Sequence, residues 1–269
     1  MDVSQVITTS IGRADQEGAK EQPFDRALAV LQAVMTMERP VSVTDLAGEC
    51  DLPVPTTFRL VAQLERRGLL KRVLGSKRLV VGPGLVRLGI AAIGSALRSD
   101  RPHQILVGFA NRIGEHCQIA VRSDNSLLYV DTVRAARSTG LHFEQGRRSP
   151  LHCTSIGKLF LADLDDAELD SWLVQATLEP LAPRTIVRPA EFRSAIRKVR
   201  KEGWATNNEE LAVGVVGCAV PIRDFNGRLL AGLGISLPSA RFDFDQLHQF
   251  RDAMESAAAE IAAAALADD

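Results

Sequence analysis

The stretch DLAGECDLPVPTTFRLVAQLERRGLL, residues 45–70, holds two short helical patterns joined by a tight turn. Thr44 is placed to cap a brief helix that runs through Cys50, with Leu46, Ala47 and Cys50 turned inward. Asp51-Leu52-Pro53 makes the turn, and a second helix follows from about Val54 to Arg67. Pro55 suits its first turn, where a missing N–H costs nothing. Leu60, Val61 and Leu64 form its buried stripe, which leaves Thr56, Thr57, Arg59 and Gln63 elsewhere on the cylinder. Upstream, Phe24, Ala27, Leu28, Leu31, Val34 and Met35 recur at helical spacing, so Phe24 to Met37 reads as an amphipathic helix that Arg39-Pro40 ends. Downstream of Gly68, Leu69 to Leu74 and Leu79 to Val81 are β-like runs joined by Gly75-Ser76-Lys77, a hairpin with basic residues at its tip.

Three short helices followed by a basic hairpin is the winged helix-turn-helix pattern, here over residues 24–84. A net charge of −1 over 269 residues speaks against a nucleic-acid partner, but the total hides its distribution. Residues 1–23 carry two basic and four acidic side chains without apolar periodicity and read as a disordered tail. Residues 24–89 carry ten basic against six acidic, and residues 90–269 carry 20 against 23. From Arg59 to Arg87 there are eight basic residues and one acidic one, Glu65. That block points to double-stranded DNA, with the third helix in the major groove and Lys77 and Arg78 of the wing on phosphates. The candidate contacts are Thr44, Val54, Pro55, Thr56, Thr57, Arg59, Gln63, Lys77 and Arg78, of which Val54 and Pro55 offer only apolar contact, as to a thymine methyl. The competing reading is a protein-interaction module, with Arg59 in a structural salt bridge and Phe58 as core beneath the wing.

At roughly 150 residues per domain the length allows about two domains. Leu85, Leu88, Ala92, Ile93 and Ala96 mark a linker helix over residues 85–99. Residues 100–269 read as α+β: a helix from His103 to His116, strands over Gln118 to Arg122, Leu127 to Val133 and Thr139 to Phe143, and helices opened by Thr154, Asp165 and Pro189. Strands at Trp204 to Asn207, Cys218 to Ile222 and Leu229 to Leu237 follow, then an Ala-rich helix from Asp243 to about Ala267. No run approaches the 18 to 20 apolar residues of a membrane span and the start lacks a secretion signal, so the expected location is cytoplasmic, with no membrane partner.

The chain resembles the IclR-type bacterial transcriptional regulators. The resemblance is carried by DRALAVLQAV (25–34), the 45–70 stretch and LVVGPGLVRLG (79–89). It continues in SPLHCTSIGKLFLADL (149–164), PRTI (183–186), VRKEGWATNNEEL (199–211) and PIRDFNGRLLAGLGIS (221–236). It implies a GAF-like effector-binding domain and a homodimer or tetramer. It also implies a pocket walled by Leu141, Phe143, Ser155, Ile156 and Val215, with polar selection from Asn207, position 217 and Ser236. Asn207 stands where relatives typically carry Asp, Gly217 where they often carry Cys, and Gly234 where serine is commoner. These changes remove polar atoms or volume, and the expected effector is therefore an aromatic or similarly sized carboxylic acid, held by N–H groups at the start of the Thr154 helix and by Ser236.

The expected function is a ligand-responsive regulator, by default a repressor of a catabolic operon; an activator of the same type is the alternative. A Cys/His metal or redox sensor, or a thiol hydrolase, is the opposing class. Cys50, Cys117, Cys153 and Cys218 form no C-x-x-C pair. His152-Cys153, adjacent in extended chain, point to opposite faces, and His116-Cys117 have the same fault on a helix. Gly157-Lys158 lacks the rest of a phosphate loop. Neither an enzyme nor a cofactor is expected.

Overall fold

The computed structural model describes residues 23–37, 39–135 and 143–267, and the chain divides into two compact units between Gly89 and Ile90. The first unit begins with α1 (Pro23–Thr36), α2 (Val43–Glu49) and α3 (Val54–Arg66). Val30, Val34, Leu46, Leu60, Val61 and Leu64 meet in its core with Leu70 and Leu79 of the wing strands β1 (Leu70–Arg72) and β2 (Leu79–Val81). The wing is antiparallel, Leu70 opposite Val81, and Val41 adds a bridge to Leu79, so the chain between α1 and α2 closes the base of the hairpin.

The cap of α2 is Ser42, not Thr44. The Ser42 hydroxyl accepts from the Asp45 N–H at 3.1 Å and the Asp45 carboxylate accepts from the Ser42 N–H at 2.9 Å, a reciprocal capping box. These bonds hold the Asp45 carboxyl below its ordinary range. Thr44 remains exposed on the first turn, its hydroxyl 2.8 Å from that of Ser42.

The helix α4 (Pro83–Leu97) contains the division between the units. In the second unit α5 (Asp100–Ile113) stops three residues before the expected end, closed by Gly114 in a left-handed cap, and His116 opens a strand instead of closing a helix. A single antiparallel sheet follows, in the order β5-β4-β3-β8-β7-β6. Its strands are β3 (His116–Ser123), β4 (Ser126–Val133), β5 (Arg148–Pro150), β6 (Ala205–Asn208), β7 (Val215–Arg223) and β8 (Leu229–Pro238). The strand expected over Thr139 to Phe143 falls mostly in residues 136–142, outside the described residues; among the described strands β5 lies at the edge of the sheet.

Alternation along the strands makes two layers. Cys117, Ile119, Cys218, Val220, Leu233 and Ile235 pack against α5 and α9 (Arg251–Leu266), which a 3-10 turn over Phe244–Phe250 precedes. On the opposite face Ala120, Tyr129 and Ala219 pack under α6 (Ser155–Ala162) and α8 (Pro189–Glu202), with α7 (Asp166–Gln175) beyond. Thr154 caps α6 as expected, accepting from Gly157 N–H at 3.1 Å. The glycine is required there: a Cβ on Gly157 would lie 2.5 Å from the Thr154 hydroxyl and from Leu151 Cα. Gly157→Ala is therefore expected to cost about 1–3 kcal/mol by overpacking the start of α6, read as a lower urea midpoint at unchanged slope.

Candidate functional site

In the first unit the turn of α3 decides which side chains are presented. Val54, Pro55, Phe58, Arg59, Gln63 and Arg66 are exposed, and Thr56 is half-buried. Thr57 is not among the outward residues: it is 0% exposed, and its hydroxyl donates to the Pro53 carbonyl at 3.2 Å. It belongs to the core stripe with Leu60, Val61 and Leu64 and cannot reach a base edge. Phe58, in contrast, is 57% exposed and is not wing-packing core. Arg59 makes no salt bridge among the described residues, so its guanidinium is available to a partner.

The wing is braced by two of its own cations. Arg72 pairs with Glu65 at 3.0 Å and donates to the Lys77 carbonyl at 3.0 Å, tying α3 to the hairpin tip. Arg78 donates to the Pro40 carbonyl at 2.9 Å, so its guanidinium is partly committed to the base of the wing. Lys77 is exposed and its ammonium has no such commitment among the described residues.

In the second unit, a cavity of about 20 Å³ lies between the start of α6 and strands β3, β7 and β8, room for little more than one water. Phe143, Ser155, Ile156, Asn207, Val215, Gly217 and Ser236 line it; Leu141 lies outside the described residues. Gln118, Tyr129, Thr154 and Leu211 line it too and were not anticipated. Gln118 carried a signal, a polar residue within the apolar run His116 to Val121. Its Nε2 donates to the Ser236 hydroxyl at 3.0 Å.

Two expectations about this cavity change. Asn207 lines the cavity with its amide already engaged at both ends: Nδ2 donates to the Cys153 carbonyl and Oδ1 accepts from Glu210 N–H at 3.3 Å. The glycines do not enlarge the space either. A Cβ at Gly217 would meet the Ile235 carbonyl oxygen at 2.5 Å, so that glycine serves strand approach. A Cβ at Gly234 would meet Ile156 Cδ1 at 2.9 Å and Gln118 Nε2 at 3.0 Å, so the volume it vacates is already filled. The larger, flatter ligand does not follow from these substitutions.

Behind the cavity lies a buried ion pair that the sequence did not suggest. Lys158 Nζ meets Glu210 Oε1 at 2.6 Å, the side chains 5% and 7% exposed. The Glu210 carbonyl accepts from Thr185 at 2.6 Å, joining β6, α6 and the PRTI segment in one network.

The arrangement of a basic wing, an outward third helix and a cavity-bearing α+β unit can be set beside known proteins. The family described as bacterial transcriptional regulator IclR C-terminal matches residues 99–263, and the IclR helix-turn-helix domain matches residues 24–74. The chain belongs to the IclR family. It is similar to the probable transcriptional regulator SauR of Cupriavidus necator, 28% identical over 88% of this chain and 94% of that protein. It is also similar to the transcriptional repressor IclR of Escherichia coli, 26% identical over 89% of this chain and 88% of that protein. Among solved structures, that of Thermotoga maritima IclR superposes with a TM-score of 0.58 at 28% identity, covering 89% of this chain and 96% of that one. This IclR-family chain is thus a DNA-binding transcriptional regulator with an N-terminal helix-turn-helix domain and a C-terminal α+β domain.

His116 and Cys117 sit on opposite faces of β3, His116 against Phe143 and Cys117 in the other layer. The His152 ring meets the Glu179 carbonyl at 3.0 Å. Burial pushes the Cys153 and Cys218 thiols up to about 12, so little thiolate forms near neutral pH. Among the described residues no three His, Cys, Asp or Glu side chains gather into a metal-holding group, and no helix is long and apolar enough to cross a membrane.

Proposed function

We propose that this regulator is a repressor of a catabolic operon that binds operator DNA as a homodimer or dimer of dimers and is released or retained by a small organic acid. The observation that carries the DNA half is the outward face of α3, where Arg59 stands uncommitted beside Val54, Pro55, Phe58 and Gln63, next to a wing with Lys77 at its tip. In this reading those α3 residues meet base edges, joined by Thr56. Lys77, with Arg78 and the exposed Thr44, meets the backbone.

The acid is assigned to the cavity at the start of α6, where a helix N-terminus of eight residues favours an anion. A compact acid fits this cavity better than an aromatic one, and even a compact acid requires the walls to widen. That requirement supplies a mechanism: a ligand that binds only the widened arrangement shifts the population toward it, and the shift can be no larger than its differential affinity.

The test is the salt dependence of operator binding. Lys77→Ala is expected to weaken binding to specific and random duplexes alike and to reduce the slope of log K against log salt by about 0.9 per DNA-bound protomer, about 1.8 for a dimer. A slope equal to that of the unmodified protein would remove the phosphate role from Lys77.

A further inference from the structure

We propose that Gln118 selects a hydroxy acid over the corresponding oxo acid. The proposal rests on the effector reading above and names the ligand class for that cavity. Gln118 is 3% exposed and lines the cavity, and its Oε1 is buried without a hydrogen-bond partner among the described residues. Its Nε2 donates to the Ser236 hydroxyl at 3.0 Å, which leaves Oε1 as the free end of the amide. A buried acceptor without a donor is costly, and a ligand that brings the donor recovers that cost.

Two of the other polar side chains of the wall are already engaged within the protein. Thr154 is committed twice, donating to the Pro150 carbonyl at 3.0 Å and accepting from Gly157 N–H at 3.1 Å. Asn207 is committed at both ends of its amide. The N–H groups of Ser155 and Ile156, the first two positions of α6, have no acceptor within the helix. The wall therefore offers donors at the helix start and an acceptor at Gln118. A carboxylate satisfies the first and a hydroxyl on a neighbouring carbon satisfies the second. An oxo group has no proton to give, and its oxygen would be set against Oε1, acceptor to acceptor. Sites that hydrogen-bond a ligand hydroxyl discriminate strongly against analogues that lack it, because the protein group is then left buried and unpaired.

The experiment is calorimetry on the full chain with matched pairs that differ only in this group, lactate with pyruvate and mandelate with phenylglyoxylate. The hydroxy member of at least one pair is expected to bind about tenfold more tightly or better. Gln118→Leu is expected to bring that ratio close to one while thermal unfolding shows the domain intact. If that variant does not fold, Ser236→Ala serves: with the amide no longer held, it can turn its NH₂ to the ligand, and the ratio is expected to fall. Tighter binding of the oxo member by the unmodified protein overturns the proposal alone, as does a ratio unchanged in the variants. Absence of binding by all four acids, with operator binding intact, overturns the effector reading itself and this proposal with it.

Discussion

Replacing Lys158 with Met is expected to destabilise the second unit by about 3–5 kcal/mol, the range for stranding one member of a buried ion pair. The Lys158–Glu210 contact of 2.6 Å is almost wholly removed from solvent. Glu210 Oε1 has only one further donor, the Asn208 N–H at 3.3 Å, and Oε2 has none among the described residues. Without the ammonium the carboxylate must either remain charged in a poorly solvating site or take up a proton. The double variant Lys158→Met, Glu210→Met removes both charges and is expected to recover most of the loss, since an apolar pair of similar volume is often neutral in such places. Urea unfolding of the two variants side by side checks this. A double variant as unstable as the single one would mean that the loss comes from packing and not from the unpaired charge.

The second large effect falls on DNA. Arg59→Ala is expected to reduce the ratio of specific to random binding by about 1–3 kcal/mol, roughly 5- to 160-fold, for each half-site contacted, as for loss of an arginine that reads a base. Thr57→Val is the paired control. Its hydroxyl serves only the Pro53 carbonyl, so the specificity ratio is expected to stay the same while stability falls by about 1 kcal/mol. Competition binding with a selected operator and random duplex, together with urea unfolding, separates the two. Loss of specificity in Thr57→Val with stability unchanged would contradict the register assigned to α3.

The contrast between those two residues shows how far the sequence could be read. Helical spacing of Leu60, Val61 and Leu64 fixed where α3 lies and which way its apolar side faces, because periodic burial is a local property. Thr57 escaped because a pattern built on apolar side chains passes over a hydroxyl that a carbonyl one turn back can satisfy. Ser42 could have been found: Asp45 follows it by three positions, the spacing of a capping box, whereas nothing three positions after Thr44 reciprocates. Half of the cavity wall was reachable through resemblance, since α6, β6 and β8 carry the family's motifs. What these residues do there was not. Asn207 and Cys153, Gln118 and Ser236, and Lys158 and Glu210 are each brought together by the sheet and the helix above it from positions 52 or more apart. The volume of the cavity also depends on Ile156 lying over the bare strand at Gly234, which no count of side-chain sizes reveals.

The inward placement of Thr57 also sets the terms on which this regulator can be re-engineered. Val54, Pro55, Phe58, Arg59 and Gln63 are the exposed positions of α3 before its last turn, and none of them contributes to the hydrophobic core of the unit. A library diversified at these five codons samples new operator preferences on a helix whose packing is untouched, so nearly every clone should enter the selection folded. Adding codon 57 would spend much of that diversity on chains that fail before they meet DNA.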